Sequence, residues 1–217
     1  MNSLGILLIN SNRFKEPTPI MPIGLCSVAS ALEAAGHRVR VLDLCFAADP
    51  AAAIIEALAM ARSDLVGVSI RNIDTCNGFQ PRFLIDEVDR EVIQPLKAAF
   101  AGPIVLGGAA VAINPEELLA HFDLEFALRG DGEAAFLDLA RVIAESKGGA
   151  QSTADFSACR GLVRRAGGHI VLANPPAFAW EKGDMTTPRI NHFIDITEYR
   201  RFGTPLGIQT KRGCALE

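Results

Sequence analysis

The chain has 217 residues, of which 49% are hydrophobic, and its formal net charge at pH 7 is −4. This length and apolar content suffice for one sizeable hydrophobic core with a smaller additional unit. The acidic balance, without a block of basic residues, argues against nucleic acid and against an anionic membrane surface as partners. No apolar run approaches the roughly 20 residues that a membrane-spanning helix needs.

The amino terminus and the cysteines together indicate a cytoplasmic protein. The first ten residues, MNSLGILLIN, have neither the charged start nor the cleavage site of a secretory signal peptide. In a reducing cytoplasm we expect free thiols and no disulfide framework. The cysteines are odd in number and unrelated in spacing: Cys26, Cys45, Cys76, Cys159 and Cys214.

Apolar runs alternate with helical patterns along the first two thirds of the chain. The runs are continuous, as is typical of parallel strands buried on both faces. In the third helical pattern, Pro95 is expected to kink or shorten the end. The alternation predicts a doubly wound α/β domain over residues 1–146, with a five-stranded parallel sheet of Rossmann or flavodoxin type. Strands are predicted at about 4–9, 37–44, 65–70, 103–106 and 124–128.

Glycine turns follow the fourth and fifth predicted strands. Gly107 and Gly108 stand after the fourth, and the segment 130–133, GDGE, stands after the fifth. Between them, Asn114 precedes Pro115 in a pattern typical of a capped helix start. Adjacent glycines let the backbone turn sharply and approach a flat ligand closely. Two such turns predict a ligand crevice at the carboxyl ends of the strands, although either turn could serve chain reversal alone.

The composition changes after Ser146. Residues 147–155 are typical of a linker, and 161–165 with 169–172 predict a small β-hairpin that ends at Asn174-Pro175-Pro176. The segment up to Pro205 contains prolines and single aromatic residues and predicts an extended connector. We therefore expect a linker, hairpin and connector over 147–205. Residues 206–217 are expected to hold the first strand of a truncated further domain.

Several segments together resemble the amino-terminal half of cobalamin-binding radical SAM enzymes. They are GHRVRVLDL (36–44), VGVSIRNID (66–74), PIVLGGAA (103–110), RGDGEAAF (129–136) and QTKRGCALE (209–217). The resemblance implies cobalamin as cofactor, with the corrin over the carboxyl ends of the strands. In the parent protein it also implies a [4Fe–4S] cluster, S-adenosylmethionine and a radical SAM barrel in cis, acting on a small-molecule or lipid-like substrate.

The last segment resembles the first barrel strand of that family, which ends in arginine-glycine-cysteine. Its cysteine is the first of CxxxCxxC, which binds the cluster. By resemblance Cys214 is therefore a metal ligand in the parent protein. One thiolate cannot hold the cluster, so we do not expect this chain alone to be catalytic.

The resemblance also implies positions for the cofactor. Ser69, Gly107 and Gly108 match the residues that line the nucleotide tail of cobalamin in related domains. Residues 130–133 would close the far side, where the backbone N–H groups of the following helix are available to ligand oxygen atoms. The predicted cobalamin-binding residues are Asn10, Ser11, Asn12, Pro22, Gly24, Ser69, Arg71, Asn72, Asp74, Gly107, Gly108, Ala109, Gly130, Gly132 and Glu133.

One departure from related domains concerns the ligand beneath cobalt. Methyltransferases and mutases carry DxHxxG after the first strand, whereas the loop here reads NSNRFKEPTPIMPIG and contains no histidine. We predict that no histidine ligates cobalt. Arg71, Asn72 and Asp74 are the candidates for the lower face, where the permanent charge of Arg71 would disfavour a lower ligand. Alternatively, Arg71 pairs with Asp74 or Asp43.

The sequence leaves the reaction of the parent open between radical methyl transfer, cyclisation, as in the anaerobic magnesium-protoporphyrin ester cyclase branch, and rearrangement. A second hypothesis is a B12-like fold without cofactor that acts as a lid or substrate-docking module. A third is a flavodoxin-like flavin or nucleotide binder. The third is disfavoured because the loop after the first strand lacks a hydroxyl-rich phosphate cradle.

Overall fold

A computed structural model describes residues 3–75, 77–146, 154–176, 178, 187–205 and 207 of the chain. These residues form one sheet with helices on both faces and a short helical segment near its carboxyl edge. The strands are β1 Gly5–Asn10, β2 Arg38–Asp43, β3 Leu65–Ser69, β4 Ile104–Gly107, β5 Phe126–Leu128, β6 Leu162–Ala166 and β7 His169–Ala173.

The sheet has seven strands in the order β2-β1-β3-β4-β5-β6-β7. The first five are parallel, as the continuous apolar runs predict. The prediction of five strands in the sheet is too low, because the hairpin β6–β7 pairs antiparallel with β5 and extends it. β6 contributes buried Leu162 and Val163 and covers the edge of β5, whose backbone groups would otherwise be unpaired. The predicted domain limits at 146 and 205 stay a prediction.

The helices, taken in chain order, alternate with the parallel strands. Their bounds are α1 Ile23–Ala34, α2 Pro50–Met60, α3 Ile85–Val88, α4 Gln94–Ala99, α5 Ala109–Ile113, α6 Pro115–Phe122, α7 Gly132–Ser146, α8 Ile190–Phe193 and α9 Thr197–Arg201. A π-helical turn, Asp89–Ile93, joins α3 to α4. Pro95 lies just after it in the first turn of α4, where a missing N–H costs little, so the helix continues to Ala99.

Two apolar clusters bury the faces of the sheet. α1 and α7 pack against each other on one face, over Leu8, Val105 and Phe126. α2, the π turn and α4 pack together on the other face, over Leu7 and Val68. Helices on opposite faces follow β1 and β3, so these neighbouring strands form the point at which the sheet changes winding direction.

The connector, expected to be extended, contains two short helices between Ile190 and Arg201. It packs against the start of α1 and the end of β2, where Tyr199 is fully buried with Cys26 and Cys45. Burial of Ile194 and Tyr199 supplies the driving force for this docking. In the described part of the chain, no helix is long and apolar enough to cross a membrane.

Candidate functional site

A cavity of about 640 Å³ opens at the carboxyl ends of the parallel strands. Asn10, Ser69 and Gly107 are the last residues of β1, β3 and β4, and all three line it. Parallel strands in register bring these positions to one edge of the sheet. The first turns of α1 and α7 form the facing wall. The cavity therefore lies in the crevice where open α/β sheets bind ligands.

One face of the cavity is apolar. It continues onto the α1–α7 side of the sheet, where it is lined by Leu8, Val28, Gly67, Val105 and Phe136. The polar lining residues Asn10, Ser69 and Glu133 lie at the ends of β1 and β3 and at the start of α7. This combination of an apolar wall and a few polar groups suits a large ligand that carries a flat, weakly polar portion.

Most of the predicted cobalamin-binding residues line this cavity. Three others lie beside it: Ser11, Asn12 and Asn72 line a separate space of about 30 Å³, and Arg71 lines both. Asp74 borders neither cavity and instead forms a β-bridge with Phe83. The predicted residues in the large cavity are Asn10, Pro22, Gly24, Ser69, Arg71, Gly107, Gly108, Ala109, Gly130, Gly132 and Glu133.

The paired glycines after β4 have different geometries. A Cβ added at Gly107 would meet no atom within 4 Å, so this position opens onto free space. Gly108 has φ 99° and ψ 175°, a conformation that is essentially restricted to glycine. A Cβ there would approach the Ile70 carbonyl oxygen at 2.5 Å. Gly108 thus makes the tight turn, and Gly107 keeps the cavity open.

The loop after β1 is fastened to the end of β3. Both the backbone N–H and the hydroxyl of Ser11 donate to the Ser69 carbonyl oxygen, at 3.2 and 2.8 Å. The Ser69 hydroxyl itself makes no hydrogen bond to any residue that the structure describes. It is half-buried at the cavity wall and remains available to a ligand.

The small cavity beside the loop contains an unsatisfied donor. Asn12 is 7% exposed, and its amide nitrogen Nδ2 has no hydrogen-bond partner among the described residues. A space of about 30 Å³ accommodates a single water molecule. Arg13, next in the chain, is held by an ion pair with Glu91 and by the Ala47 carbonyl oxygen at 3.2 Å.

Arg71 extends from the end of β3 over both cavities. It is exposed and makes neither a hydrogen bond nor an ion pair with another residue of the described ranges. The alternative pairing of Arg71 with Asp43 or Asp74 is therefore not observed there. Asp43 instead accepts hydrogen bonds from Asn10 and Tyr199.

None of the four histidines lies among the residues lining the large cavity, and all four belong to the described part of the chain. His37 is buried at the amino end of β2, where its Nδ1 accepts from the Leu4 N–H at 3.3 Å. His121 lies 3.6 Å from Asp86, and His192 lies 3.1 Å from Glu33. His169 begins β7 on the surface.

The comparisons with known proteins agree with this geometry. The family model described as B12 binding domain matches residues 15–140, more than half of the chain. The chain belongs to this family. Cobalamin is accordingly the cofactor of this B12-binding domain, as the sequence resemblance implies.

Relatives of this B12-binding domain include a methyltransferase and radical S-adenosylmethionine enzymes. A tryptophan 2-C-methyltransferase from Streptomyces laurentii is 35% identical over 174 residues, which are 79% of this chain and 28% of that protein. The radical S-adenosylmethionine methyltransferase TsrM from Kitasatospora setae, solved with cobalamin and a [4Fe–4S] cluster, is 33% identical with a TM-score of 0.71. The match covers 81% of this chain and 32% of TsrM.

The cobalamin-dependent S-adenosylmethionine radical enzyme OxsB shares the fold. Its structure with aqua-cobalamin and S-adenosylmethionine matches 98% of this chain and 27% of OxsB, with a TM-score of 0.71 and 18% identity. The B12-binding domain described here thus spans about a third or less of the length of these relatives.

Several cavity residues were not predicted from the sequence. Val28 and Phe136 lie on the buried faces of α1 and α7, and periodicity alone predicts only that they belong to the core. Gly67 could have been identified from the sequence, because an isolated glycine inside an apolar strand indicates that another group packs closely against the backbone there. A Cβ at Gly67 would lie 2.8 Å from atoms of both Leu8 and Phe136.

The predicted cluster ligand Cys214 lies outside the described residues. Within the described ranges, no group of three or more histidine, cysteine, aspartate or glutamate side chains is placed to hold a metal ion.

Proposed function

We propose that this B12-binding domain serves a radical SAM methyltransferase, with a radical SAM barrel in cis that carries the [4Fe–4S] cluster and S-adenosylmethionine. The observation that carries the proposal is the glycine-walled cavity at the strand ends of a chain whose relatives at 33–35% identity are such methyltransferases. We further propose that residues 1–146 form the cofactor domain, 147–205 the linker, hairpin and connector, and 206–217 the start of the barrel. A cytoplasmic location suits both the free thiols and a reduced cluster.

The cavity fits the nucleotide tail of cobalamin. Gly24 and Gly107 both face open space, where a Cβ would occupy volume that the tail needs. The apolar face between α1 and α7 would receive the base, and the Ser69 hydroxyl is free to bond it. The first backbone N–H groups of α7, which begins at Gly132, would donate hydrogen bonds to oxygen atoms of the ligand.

Arg71 and the absence of a nearby histidine define the lower face of the proposed site. Cobalamin, when bound, supplies a transferable methyl group on cobalt. Arg71 would line the lower side of the bound cofactor, where its guanidinium stays protonated and would offer no lone pair as a ligand. Cobalamin held without a protein ligand on that side would supply methyl-group chemistry of electrophilic or radical character.

Titration of the purified chain with hydroxocobalamin tests cofactor binding. We expect a coloured complex with one cobalamin per chain. Equilibrium dialysis that leaves the chain empty at high micromolar concentration would overturn the proposal in favour of a lid or docking module without cofactor. Electron paramagnetic resonance of bound cob(II)alamin tests the lower face. A nitrogen hyperfine pattern from the protein would contradict the role given to Arg71.

Methyl transfer is favoured over cyclisation and rearrangement because the relatives above 30% identity are methyltransferases. The parent protein would transfer a methyl group to an unreactive carbon of a small molecule. Tryptophan is the first substrate to test, since the Streptomyces laurentii relative is named for it. Incubation of the parent polypeptide with S-adenosylmethionine, a reductant and tryptophan should yield a product heavier by one methylene. A cyclised product without added carbon would contradict the assignment.

A further inference from the structure

The carboxylate of Asp43 joins three segments of the chain. Asp43 ends β2 and is half-buried. Its Oδ1 accepts from the Asn10 side chain at 2.8 Å and from the Cys45 N–H at 3.1 Å. Its Oδ2 accepts from the Tyr199 hydroxyl at 2.8 Å. One carboxylate thus ties the end of β1, the turn after β2 and the connector helix α9 together.

Asp43 borders a buried apolar cluster, and this environment strengthens the hydrogen bonds that its carboxylate accepts. Tyr199 is fully buried, and its ring lies edge-on to Phe46 with centroids 4.8 Å apart. Burial raises the pKa of Cys26 and of Tyr199, and the nearby Asp43 carboxylate raises both further. A charged acceptor in an apolar cluster strengthens each hydrogen bond that it receives, and its loss leaves a buried group unsatisfied.

Asn10 connects this cluster to the cofactor cavity. It is 3% exposed, lines the cavity, and through Oδ1 accepts from the Asn12 N–H at 3.3 Å. A second hydrogen bond joins the connector to the segment that precedes α1, which also lines the cavity. The Thr204 hydroxyl donates to the Pro19 carbonyl oxygen at 3.1 Å, directly before the cavity residues 20–24. The docked connector is therefore linked by hydrogen bonds to two segments that contribute residues to the cavity wall.

We propose that Asp43 is a positioning residue that couples docking of the connector, residues 190–204, to cobalamin binding. This inference rests on the proposed function. When Tyr199 is bonded to Asp43, the Asn10 side chain is held in the orientation that sets the loop after β1. Coupling of this kind is reciprocal: cobalamin should stabilise the docked connector by the same factor as docking strengthens cobalamin binding.

The test combines hydroxocobalamin titration with hydrogen exchange of the connector. In the wild-type chain, saturating hydroxocobalamin should slow amide exchange over residues 197–204. In Tyr199→Phe, which keeps the ring and removes only the hydroxyl, affinity should fall by about fivefold or more and the ligand-induced protection should be lost. The visible spectrum of the bound cofactor should shift as the loop after β1 loosens. Arg200→Gln, at an exposed position of the same helix, should behave as wild type.

The outcomes separate this inference from the proposed function. A wild-type chain that binds no cobalamin overturns the proposed function. A wild-type chain that binds cobalamin without any change in exchange over 197–204 overturns the coupling alone, and this readout requires no variant to fold. Equal affinity and an unchanged spectrum in Tyr199→Phe would also overturn the coupling, whatever the loss in thermal stability.

Discussion

Gly107 and Gly108 are adjacent in the chain, yet an added methyl group would face open space at the first and a carbonyl oxygen at the second. The β4 strand ends at Gly107, and the backbone reverses at Gly108 with φ 99°. Gly107 therefore leaves space for the ligand, whereas Gly108 permits the backbone turn. A substitution at Gly107 should lower the affinity for the cofactor, and a substitution at Gly108 should lower the free energy of unfolding.

Gly107→Leu should weaken cofactor binding while the fold is retained. The leucine side chain would occupy cavity space, and its backbone stays in an allowed region. We expect affinity for hydroxocobalamin to fall by about tenfold or more, with the free energy of unfolding within about 1 kcal/mol of wild type. Gly78→Leu, in an exposed loop with open space and away from the cavity, is the matched control. Unchanged affinity in Gly107→Leu would place the cofactor elsewhere.

Gly108→Ala should instead destabilise the chain. The Cβ would lie 2.5 Å from the Ile70 carbonyl oxygen in a backbone conformation that alanine rarely adopts. We expect a loss of about 3 kcal/mol in the free energy of urea unfolding. A variant as stable as wild type would show that the turn after β4 has another conformation.

Cys26→Ala should change the response of stability to alkaline pH. Burial, and then the Asp43 carboxylate, raise the pKa of the Cys26 thiol to about 12 in the folded chain, against about 9 when unfolded. The unfolded thiol loses its proton first, so the stability that this group contributes is present below pH 9 and is lost as pH rises toward 12. Urea unfolding at pH 8 and pH 10.5 should show a smaller loss in Cys26→Ala than in wild type. Equal losses in both chains would contradict this expectation.

The buried His37 should make stability fall on acidification. Burial lowers the pKa of His37 below its usual value near 6.5. The unfolded chain therefore binds a proton at a pH at which the folded chain does not, and stability is lost as pH falls through 6.5. Protonation would also remove the acceptor that Nδ1 offers to the Leu4 N–H.

Unfolding experiments at pH 7.5 and pH 5.5 compare His37→Gln with wild type. The variant should lose less free energy of unfolding on acidification. His169→Gln, at the exposed start of β7, should retain the wild-type response. A steeper loss in His37→Gln than in wild type would show that His37 is protonated in the folded chain.

The parallel β1–β5 sheet followed from the hydrophobic pattern of the sequence, and cobalamin as the cofactor followed from the family resemblance. Continuous apolar runs define strands that are buried on both faces, and parallel strands necessarily end at the same edge. For this reason Asn10, Ser69 and Gly107 could be assigned to one site although they are far apart in the chain. The turns after β4 and β5 could be predicted from their glycines, because the conformation of a turn depends mainly on its own residues.

Contacts between distant segments depended on the tertiary structure. The hairpin was predicted from its turn, but its pairing with β5 required the edge of a folded sheet. Single aromatics suggested an extended connector, whereas burial of Tyr199 folds it into short helices beside Asp43, 156 residues earlier in the chain. Periodicity and turn residues report the conformation of neighbouring residues. Which buried side chains contact each other depends on packing across the whole fold. The position of the connector beside the cofactor cavity is a result of that packing.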